Sequence, residues 1–475
     1  MTNVKRRDFL RAGTAAFGVS AIPSALFALE GEGDIPIPFS DVTPYTQMEG
    51  SRWWKGNTHM HTMRSDGNEF SEVALAIYKR LGYNFCVLTD HDHTPSDKDF
   101  WVTAHDLMRQ WKKISPEQLA CIRENFPDMM PPTRTEKDGR TGYCDKAFTT
   151  VAPRLNEAGR FLAIPGNEIT CTPADGDDPH FNIINLMDKP CRGQRRDIPT
   201  VQDAFEWVLE QRDRLVGKTN PTAILTVNHP LWSSYDVKPQ WMIDHPSIRF
   251  FEVNNSGSTP RYNLPKGGND TFTHDKFWDV VNAARATAGQ PLLYGVGSDD
   301  MHQYVRRFPV DTWPFAGYTQ VAAPELTTEA LIHAMYKGNF YASSGLDLKS
   351  VAFDQASRTL TVEVDPKPGY EYTILFIGTK KGYDPRIKGW VDYHLPEKAR
   401  SWTKWREFKL DRRVPYYSTE IGATLQKSEG TKASYTMKPD DLYVRAKVVT
   451  QKGLLPENTP QRYPIAWTQP ISAKA

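Results

Sequence analysis

The sequence predicts an α/β protein, with a (β/α)7 barrel in its larger part and a smaller C-terminal β-sandwich domain after it. Two observations predict this division. Short apolar runs alternate with helical patterns over residues 50–345, whereas strand-like runs follow one another with little helix over residues 350–475. A third observation concerns function: His, Asp and Glu residues follow the apolar runs of the first region, where the active sites of such barrels lie.

The barrel is predicted from seven short apolar runs that are rich in β-branched and aromatic residues. These runs are Trp53–His59, Phe85–Thr89, Phe161–Ile164, Phe181–Met187, Ala223–Val227, Arg249–Val253 and Pro291–Val296. Helical patterns lie near 71–81, 146–159, 200–215 and 273–288. Because strands alternate with helices over this length, we expect βα units, a mainly parallel sheet and closure of the seven strands on themselves.

The C-terminal region has a different pattern. Strand-like runs separated by Gly, Pro and Asp turns occur at Val351–Phe353, Thr359–Val364, Tyr372–Phe376 and Leu442–Val448. Such a succession is typical of a β-sandwich. The region carries no cluster of metal-binding residue types, so we expect it to be structural or to present the substrate.

The first 30 residues have the features of a twin-arginine signal peptide. Residues 5–11 read Lys-Arg-Arg-Asp-Phe-Leu-Arg, and a weakly apolar stretch over 12–28 follows with no acidic residue before Glu30. We therefore expect the twin-arginine export machinery to be a partner and the folded protein to reach the periplasm or the medium. The alternatives are an amphipathic first helix and an ordinary membrane anchor.

Composition excludes some classes of function. The 58 basic and 57 acidic residues give no overall charge bias, so a long nucleic acid is not the expected partner. No apolar run after residue 30 approaches the length of a bilayer span, so we expect no transmembrane anchor after processing. The five cysteines form no C-x-x-C pair, which argues against a cysteine-ligated zinc or iron–sulfur site.

Six segments place metal-binding residue types at the ends of the predicted strands. The residues are His59, His61, Asp90, His91, Glu168, His180, His229, Asp300 and His302. Two histidines at i and i+2 point to the same side of a strand, where residues of the next strand can join them around a metal ion. A single such histidine is more often structural, but so many strand ends of this kind favour a metal centre over a polar core network.

The same residues carry a family resemblance. The blocks are His59-Met60-His61-Thr62, Ser65-Asp66-Gly67, Thr89-Asp90-His91-Asp92, Gly166 with Glu168, His229-Pro230 and Ser298 to His302. In this order they resemble the motifs of the polymerase and histidinol phosphatase (PHP) superfamily, and most of all its stand-alone phosphoesterases. The resemblance covers about residues 50–345. It implies a distorted (β/α)7 barrel that holds two to three divalent ions and hydrolyses phosphate esters.

The resemblance also implies a set of ligands for each ion. The first ion would be bound by His59, His61, Glu168 and Asp300. Glu168 would bridge to a second ion, bound also by His180 and His229. The third ion would be bound by Asp66, His91 and His302.

These ligands predict a hydrolytic mechanism. A carboxylate between two ions holds them about 3.5–4 Å apart, a spacing that suits a bridging hydroxide as the nucleophile. The third ion would bind phosphate oxygens and offset the developing negative charge. Mixed imidazole and carboxylate ligands suit Zn, Mn or Fe better than Mg alone.

Two features depart from the family pattern. Glu168 comes 77 positions after His91, with an insertion at about 95–150 that either folds over the site and sets substrate choice or is a peripheral helical addition. The sequence also has two acids, Asp299 and Asp300, where the family usually has one. The Asp-x-His spacing favours Asp300 as the ligand; Asp299 could instead be the ligand, or a partner that supports the ligands.

Other candidates rest on fewer observations. Arg64, Arg306 and Arg307 could bind the phosphate of the substrate, or they could be solvated loop charges. Asp92 and His93 could donate a proton to the leaving group, or they could orient His91.

The sequence therefore predicts an exported metal-dependent phosphoesterase that acts on a small phosphate mono- or diester, perhaps a nucleotide. One alternative is a metal-dependent hydrolase of an amide, a lactone or a phosphotriester, because the same metal-activated hydroxide attacks any polarised centre. The other alternative is a non-catalytic sugar- or surface-binding protein.

Overall fold

The structure is a computed structural model that describes residues 42–92, 98–103, 114–171, 173–174, 178–187, 198–216, 222–231, 237–257, 273–304, 315–394, 411–450 and 464–474. All of these belong to one compact unit that begins at Ile35. The predicted signal segment 1–30 and three predicted site residues, His93, Arg306 and Arg307, lie outside the described residues. A search of the described helices finds none that is both long enough and apolar enough to span a bilayer.

Seven α-helices occur in the described residues: α1 (Ser71–Arg80), α2 (Pro116–Asn125), α3 (Phe148–Leu155), α4 (Val201–Val216), α5 (Pro239–Asp244), α6 (His274–Ala288) and α7 (Thr328–Tyr336). The strands are β1 (Arg52–Asn57), β2 (Phe85–Leu88), β3 (Phe100–Thr103), β4 (Thr133–Thr135), β5 (Thr141–Asp145), β6 (Leu162–Thr170), β7 (His180–Ile184), β8 (Ile224–Val227), β9 (Phe250–Asn255), β10 (Tyr294–Ser298), β11 (Tyr318–Ala323), β12 (Phe340–Ser343), β13 (Leu348–Asp354), β14 (Thr359–Val364), β15 (Tyr372–Lys380), β16 (Gly389–His394), β17 (Asp411–Tyr416), β18 (Ala423–Glu429), β19 (Lys432–Thr436), β20 (Asp441–Thr450), β21 (Ile465–Thr468) and β22 (Ile471–Ser472).

One large mixed sheet organises the described residues. Its strand order is β10-β9-β8-β7-β6-β2-β1-β11-β12-β21-β20-β15-β18, and β22 pairs with β20. All seven predicted strands of the first region are present, as are the four predicted helices. The prediction of a mainly parallel sheet needs correction at β7, which runs antiparallel to both β6 and β8. An apolar run shows that a strand is buried, but not in which direction it runs.

The expected closure into a barrel is not visible as a ladder of backbone hydrogen bonds in the described residues. The two sides of the sheet still approach each other: Thr319 Oγ1 on β11 accepts a bond from Gly297 N on β10 at 3.0 Å and donates one to Gly297 O at 2.9 Å. A Cβ atom at position 297 would lie 2.4 Å from the carbonyl oxygen of Tyr318. This approach of β10 to β11 therefore requires glycine.

The C-terminal strands continue the large sheet. Strand β12 pairs with β21, and β21 pairs with β20, so the hydrogen bonding runs without a break from the first region into the second. A second sheet of β13, β14 and β19 lies against this extension. The two sheets share one apolar cluster, to which Val362 and Tyr435 contribute from one side and Phe376 and Val448 from the other.

The inserted segment is not simply helical. It contains a three-stranded antiparallel sheet in the order β3-β5-β4, together with α2 and a short 3-10 turn at Pro127–Met129. Phe70 and Val73, at the start of α1, pack with Val102 and Ile122 of the insertion in one buried cluster. The insertion is thus built against the helix that follows the first ligand loop.

Candidate metal centre

The predicted ligands meet at one end of the large sheet. His59 and His61 follow β1, His91 follows β2, His229 follows β8, and Asp300 and His302 follow β10. Glu168 lies within β6, and His180 is the first residue of β7. Because β7 is antiparallel to its neighbours, its first residue reaches the end of the sheet where the parallel strands finish. Isolated backbone bridges hold Met60 beside Met301 and His91 beside Glu168 at this end.

The first group consists of His59, His61, Glu168 and Asp300. His59 Nε2 lies 3.1 Å from His61 Nε2, 3.2 Å from Glu168 Oε2 and 3.3 Å from Asp300 Oδ1. His61 Nε2 lies 3.1 Å from Glu168 Oε2 and 3.0 Å from Asp300 Oδ1. A tetrahedral zinc ion with ligands at about 2.0–2.1 Å requires ligand atoms about 3.3–3.4 Å apart. The four side chains therefore already have nearly the spacing of a tetrahedral site.

The other oxygen of Glu168 lies in a second group. His180 Nδ1 is 2.9 Å from Glu168 Oε1, and His229 Nε2 is 3.5 Å from the same oxygen. Asn228 Nδ2 donates a hydrogen bond of 2.9 Å to it. Glu168 thus presents one oxygen to the first group and the other to the second, which is the arrangement expected of a bridging carboxylate.

Asp66 is the centre of the third group. Its Oδ1 atom lies 3.1 Å from His302 Nε2, 3.3 Å from His61 Nδ1 and 3.6 Å from His91 Nε2. This group is the most open of the three, since the side chains of His302 and His91 are 27% and 24% exposed, whereas those of His59 and His61 are fully buried.

His61 and His91 each lie near two of the ligand groups, and the position of the hydrogen on each ring determines which group its lone pair can face. A neutral imidazole has one nitrogen with a free lone pair and one that carries hydrogen. His61 Nε2 faces the first group, so its Nδ1–H is available to Ser65 Oγ at 3.2 Å. His91 Nδ1 lies 2.8 Å from Thr170 Oγ1. If His91 Nδ1 donates to that hydroxyl, His91 Nε2 is free for the third group. With these tautomers, His61 Nε2 faces the first group and His91 Nε2 faces the third.

An orphaned oxygen supports the fit of a metal ion to the first group. Glu168 Oε2 is buried and accepts no hydrogen bond from the part of the chain that the structure describes, although imidazole nitrogens of His59, His61 and His91 lie 3.1–3.2 Å away. A buried carboxylate oxygen needs compensation. A divalent ion among these nitrogens would supply it.

Electrostatics point the same way. Burial alone would raise the pKa of Glu168, but the nearby His91 and His59 hold it well below its usual value. Burial opposes protonation of His61, yet its contacts with Asp300 and Glu168 raise its pKa to about 10. The carboxylates of the site are thus stabilised by nearby positive charge, which divalent ions would provide in place of protons on the histidines.

Sequence reasoning missed Glu252, which lies in the middle of β9. The Oε1 atom of Glu252 is 2.8 Å from His59 Nδ1, on the side of the imidazole opposite the first group. The signal in the sequence was a single acid within the wholly buried strand Phe250–Asn255. A buried charge in an apolar strand requires partners, and these are commonly functional residues.

The structure separates the two adjacent acids. Asp299 accepts hydrogen bonds from Tyr78 Oη at 2.8 Å, Ser256 Oγ at 2.9 Å and Gly317 N at 2.7 Å. Asp300 instead lies in the first group and has a left-handed backbone with φ of 50°. Burial raises the pKa of Asp299 to about 6, in contrast to the depressed pKa of Asp300. These placements favour Asp300 as the ligand.

Asp90, which belongs to the same block as His91, organises the first ligand loop. It accepts hydrogen bonds from Thr62 N and Thr62 Oγ1, both at 2.7 Å, and from Ser65 Oγ at 2.6 Å. It belongs to none of the three groups. The loop between His61 and Asp66 is therefore tied to the end of β2.

Two other predicted site residues lie near the groups without belonging to them. Asp92 accepts a bond of 3.3 Å from Thr170 N and has a left-handed φ of 51°. Arg64 is 5% exposed and bonds to Asp145, to which Nε donates at 2.8 Å, and to the carbonyl of Lys146. This placement argues against the predicted phosphate-binding role of Arg64, because its Nε and Nη2 atoms already donate to oxygens of the protein.

Backbone strain accompanies the site. Asp92, His229 and Asp300 have positive φ values of 51°, 21° and 50°. Residues other than glycine adopt such values at a cost of about 1–3 kcal/mol each, which the surrounding structure must offset. Strain of this kind collects at functional sites.

Comparisons with solved structures give loose overlaps. A two-domain protein from Bacteroides vulgatus, containing a predicted PHP-like metal-dependent phosphoesterase, matches with a TM-score of 0.37 and 15% identity over 91% of this chain and 97% of that one. A Bifidobacterium adolescentis protein, assigned by inference as a metal-dependent phosphoesterase, matches with a TM-score of 0.26 and 11% identity over 55% of this chain and 90% of that one.

An amidohydrolase from Chromobacterium violaceum, solved with sulfate and no metal, matches with a TM-score of 0.28 and 11% identity over 60% of this chain and 96% of that one. No family model matches the sequence, and no curated protein matches it.

Proposed function

We propose that this chain is an exported metal-dependent hydrolase of the PHP type that cleaves a small phosphate mono- or diester. One observation carries the proposal: the described residues bring His, Asp and Glu side chains into three adjoining ligand groups. Two of these groups share Glu168, one on each of its oxygens.

Each ion has its own candidate ligands in this proposal. The first ion would be held by His59, His61, Glu168 and Asp300, the second by Glu168, His180 and His229, and the third by Asp66, His91 and His302. The geometry also groups His91 with Glu168 and His180, and His61 with the third set. Imidazole and carboxylate ligands favour Zn, Mn or Fe. When bound, such ions supply a Lewis acid and lower the pKa of a coordinated water to about 7.

The third group supports a phosphate ester as substrate. Two ions suffice for hydrolysis of an amide or a lactone, and Asp66, His91 and His302 add a further set of ligands beside them. This set is also the most exposed, so an ion held there can meet the oxygens of an entering phosphate. Neutralising the charge on those oxygens stabilises the transition state of phosphoryl transfer.

Asp92 is our candidate for protonating the leaving group. It is 8% exposed and directly follows His91 in the chain. One of its oxygens accepts a bond of 3.3 Å from Thr170 N, which holds the carboxyl group beside His91. His93, the second predicted candidate, lies outside the described residues.

Export is the second part of the proposal. It rests on the paired arginines and the apolar stretch of residues 1–30. Twin-arginine export carries folded proteins, so the metal ions would be loaded before the protein reaches the periplasm. The expected partners are the export machinery and a small phosphorylated substrate.

The experiment that tests the function combines metal analysis with a substrate panel. The purified protein is assayed for bound Zn, Mn and Fe, and then for hydrolysis of phosphate monoesters, phosphate diesters, phosphotriesters, lactones and amides. We expect two to three ions per chain and cleavage of a phosphate mono- or diester. Cleavage of only amides, lactones or phosphotriesters would replace the proposed substrate class, and metal-free protein without hydrolytic activity would favour a binding protein.

A further inference from the structure

We propose that Glu252 is a positioning residue that fixes three predicted metal ligands at once: His59, His229 and Asp300. The inference rests on the proposed metal centre and adds to it a residue that belongs to none of the three ligand groups. Glu252 is 1% exposed and lies on β9, whereas the three residues that it organises follow β1, β8 and β10. A single side chain therefore ties together three separate strand ends.

Each oxygen of Glu252 has two donors. Oε1 lies 2.8 Å from His59 Nδ1 and accepts a bond of 2.5 Å from Ser298 Oγ. Oε2 accepts bonds of 2.8 Å from the backbone nitrogen of His229 and of 2.8 Å from Asn255 Nδ2. An ionised carboxylate accepts about four hydrogen bonds and donates none, so this environment matches the charged form.

The bond to His59 determines which of its nitrogens faces the metal site. Since Glu252 Oε1 can only accept, His59 Nδ1 must carry the hydrogen, and the lone pair is left on Nε2. His59 Nε2 is the atom that lies 3.2 Å from Glu168 Oε2 and 3.3 Å from Asp300 Oδ1. Glu252 thus selects the tautomer of His59 that can bind an ion, as carboxylates behind metal-binding histidines do.

The second oxygen acts on the other two ligands. The backbone N–H of His229 donates a hydrogen bond to Glu252. His229 has a φ of 21°, a strained conformation that needs such support. Asn255 Nδ2 lies 2.8 Å from Glu252 Oε2 and 3.3 Å from Asp300 Oδ2, so one amide group connects both carboxylates. Displacing Glu252 would therefore disturb ligands of the first ion and of the second.

A purely structural role makes a different prediction. A structural carboxylate would matter for folding but not for the choice of tautomer at His59. Glu252→Gln keeps the shape of the side chain and replaces one oxygen by an NH2 group. If this NH2 faces His59, it favours hydrogen on Nε2 and removes the lone pair from the metal site. If the NH2 group takes the place of Oε2 instead, it meets the backbone N–H of His229, and two donors then face each other.

The test is a metal titration of wild-type protein and Glu252→Gln, each first stripped of metal. Zn²⁺ affinity is measured against a competing chelator, and the visible spectrum of bound Co²⁺ reports the coordination of the site. We expect the affinity for the most tightly bound ion to fall about 10- to 100-fold in Glu252→Gln, with an altered Co²⁺ spectrum. Glu363→Gln, a partly exposed acid paired with Lys349 and Lys432, is the matched control and should bind like wild type.

Equal Zn²⁺ affinity and an unchanged Co²⁺ spectrum in folded Glu252→Gln would overturn the role of Glu252 and leave the proposed function intact. Failure of the wild-type protein to bind metal would overturn both. If Glu252→Gln does not fold, Asn255→Ala carries the test, because it removes the amide group that connects Glu252 to Asp300. A weakened first site in that variant supports the inference, and wild-type binding refutes it.

Discussion

Arg64 Nε lies 2.8 Å from Asp145 Oδ2, in an ion pair of which both partners are almost fully buried. Arg64 stands two positions before Asp66 in the first ligand loop, and Asp145 ends β5 of the inserted segment. Asp145 also accepts a bond of 2.7 Å from Ser71 N at the start of α1. The inserted sheet is thus anchored to the loop that contributes His61 to the first ligand group and Asp66 to the third.

This ion pair predicts a stability effect. Asp145→Asn should lower the free energy of unfolding by about 3–5 kcal/mol, because it leaves the buried guanidinium of Arg64 without a charged partner. Urea denaturation measures the loss. Asp138→Asn, which removes an exposed acid paired with Arg140, is the control and should change stability by less than about 0.5 kcal/mol. If Arg64 instead binds the phosphate of the substrate, Arg64→Ala would raise KM while leaving stability unchanged.

Glu168→Gln tests the bridge between the first two ligand groups. An amide nitrogen in place of either oxygen cannot bind an ion, so we expect the loss of at least one ion per chain and of most of the hydrolytic activity. Elemental analysis of the purified variant counts the ions. Glu157→Gln, an exposed acid paired with Lys79, is the control. Unchanged metal content in Glu168→Gln would exclude a bridging role.

His302→Ala separates the third ligand group from the other two. The variant should retain the ions of the first two groups and lose the third, and turnover of a phosphate ester should fall at least about 100-fold, an effect of the size seen when a charge-stabilising group is removed. His333→Ala on α7, outside the three groups, is the control. Wild-type phosphatase turnover in His302→Ala would favour chemistry that needs only two ions.

Export can be tested without the enzyme's substrate. Replacing Arg6 and Arg7 together by lysine keeps the positive charge but removes the arginine pair of the predicted signal. We expect the precursor to remain in the cytoplasm, as cell fractionation and immunoblotting would show. Periplasmic accumulation equal to that of wild type would contradict twin-arginine export.

A pH-dependent stability is predicted for Asp275 at the start of α6. Its carboxylate contacts Arg445 at 2.9 Å and Lys447 at 2.7 Å, both on β20. Burial alone would raise its pKa, but Lys447 and Arg445 hold the pKa of Asp275 well below its usual value. Because the pKa is depressed in the folded state, the contribution to stability is complete above the unfolded pKa of about 3.9 and is lost as the pH falls below it.

Asp275→Asn should therefore lower the Tm at pH 7, and the difference from wild type should shrink at pH values below about 4. Thermal melts across this range measure the effect. Asp440→Asn, an exposed acid paired with Lys380, should leave the Tm unchanged at every pH. A difference between wild type and Asp275→Asn that does not vary with pH would show that the ion pairs do not stabilise the fold.

Local patterns were enough to predict the elements of the first region. The seven apolar runs and the four helical patterns all correspond to strands and helices in the structure. The direction of β7 and the small sheet of the insertion were not predicted, because both depend on pairing between segments distant in the sequence. The strands β11 and β12, which join the first region to the C-terminal strands, were missed for the same reason.

The site shows the same limit. Ordered motifs predicted which side chains come together, but not how adjacent acids divide their roles. Asp299 and Asp300 have identical side chains, and the left-handed backbone of Asp300 separates them. Glu252 has no motif around it. Its importance comes from donors on three other strand ends, and nothing in the order of residues shows that these donors converge.

The pairing of β12 with β21 has a consequence for biosynthesis. Gln469, just after β21, bonds through its side chain to both the nitrogen and the oxygen of Gly295, at 2.8 Å each, on the strand that leads to Asp300. The ribosome makes residues 465–469 long after it has made the ligands. A nascent chain stopped before them would hold every predicted metal ligand but lack β21 and the two bonds from Gln469 to Gly295. We therefore expect metal capture to wait until synthesis has passed this segment.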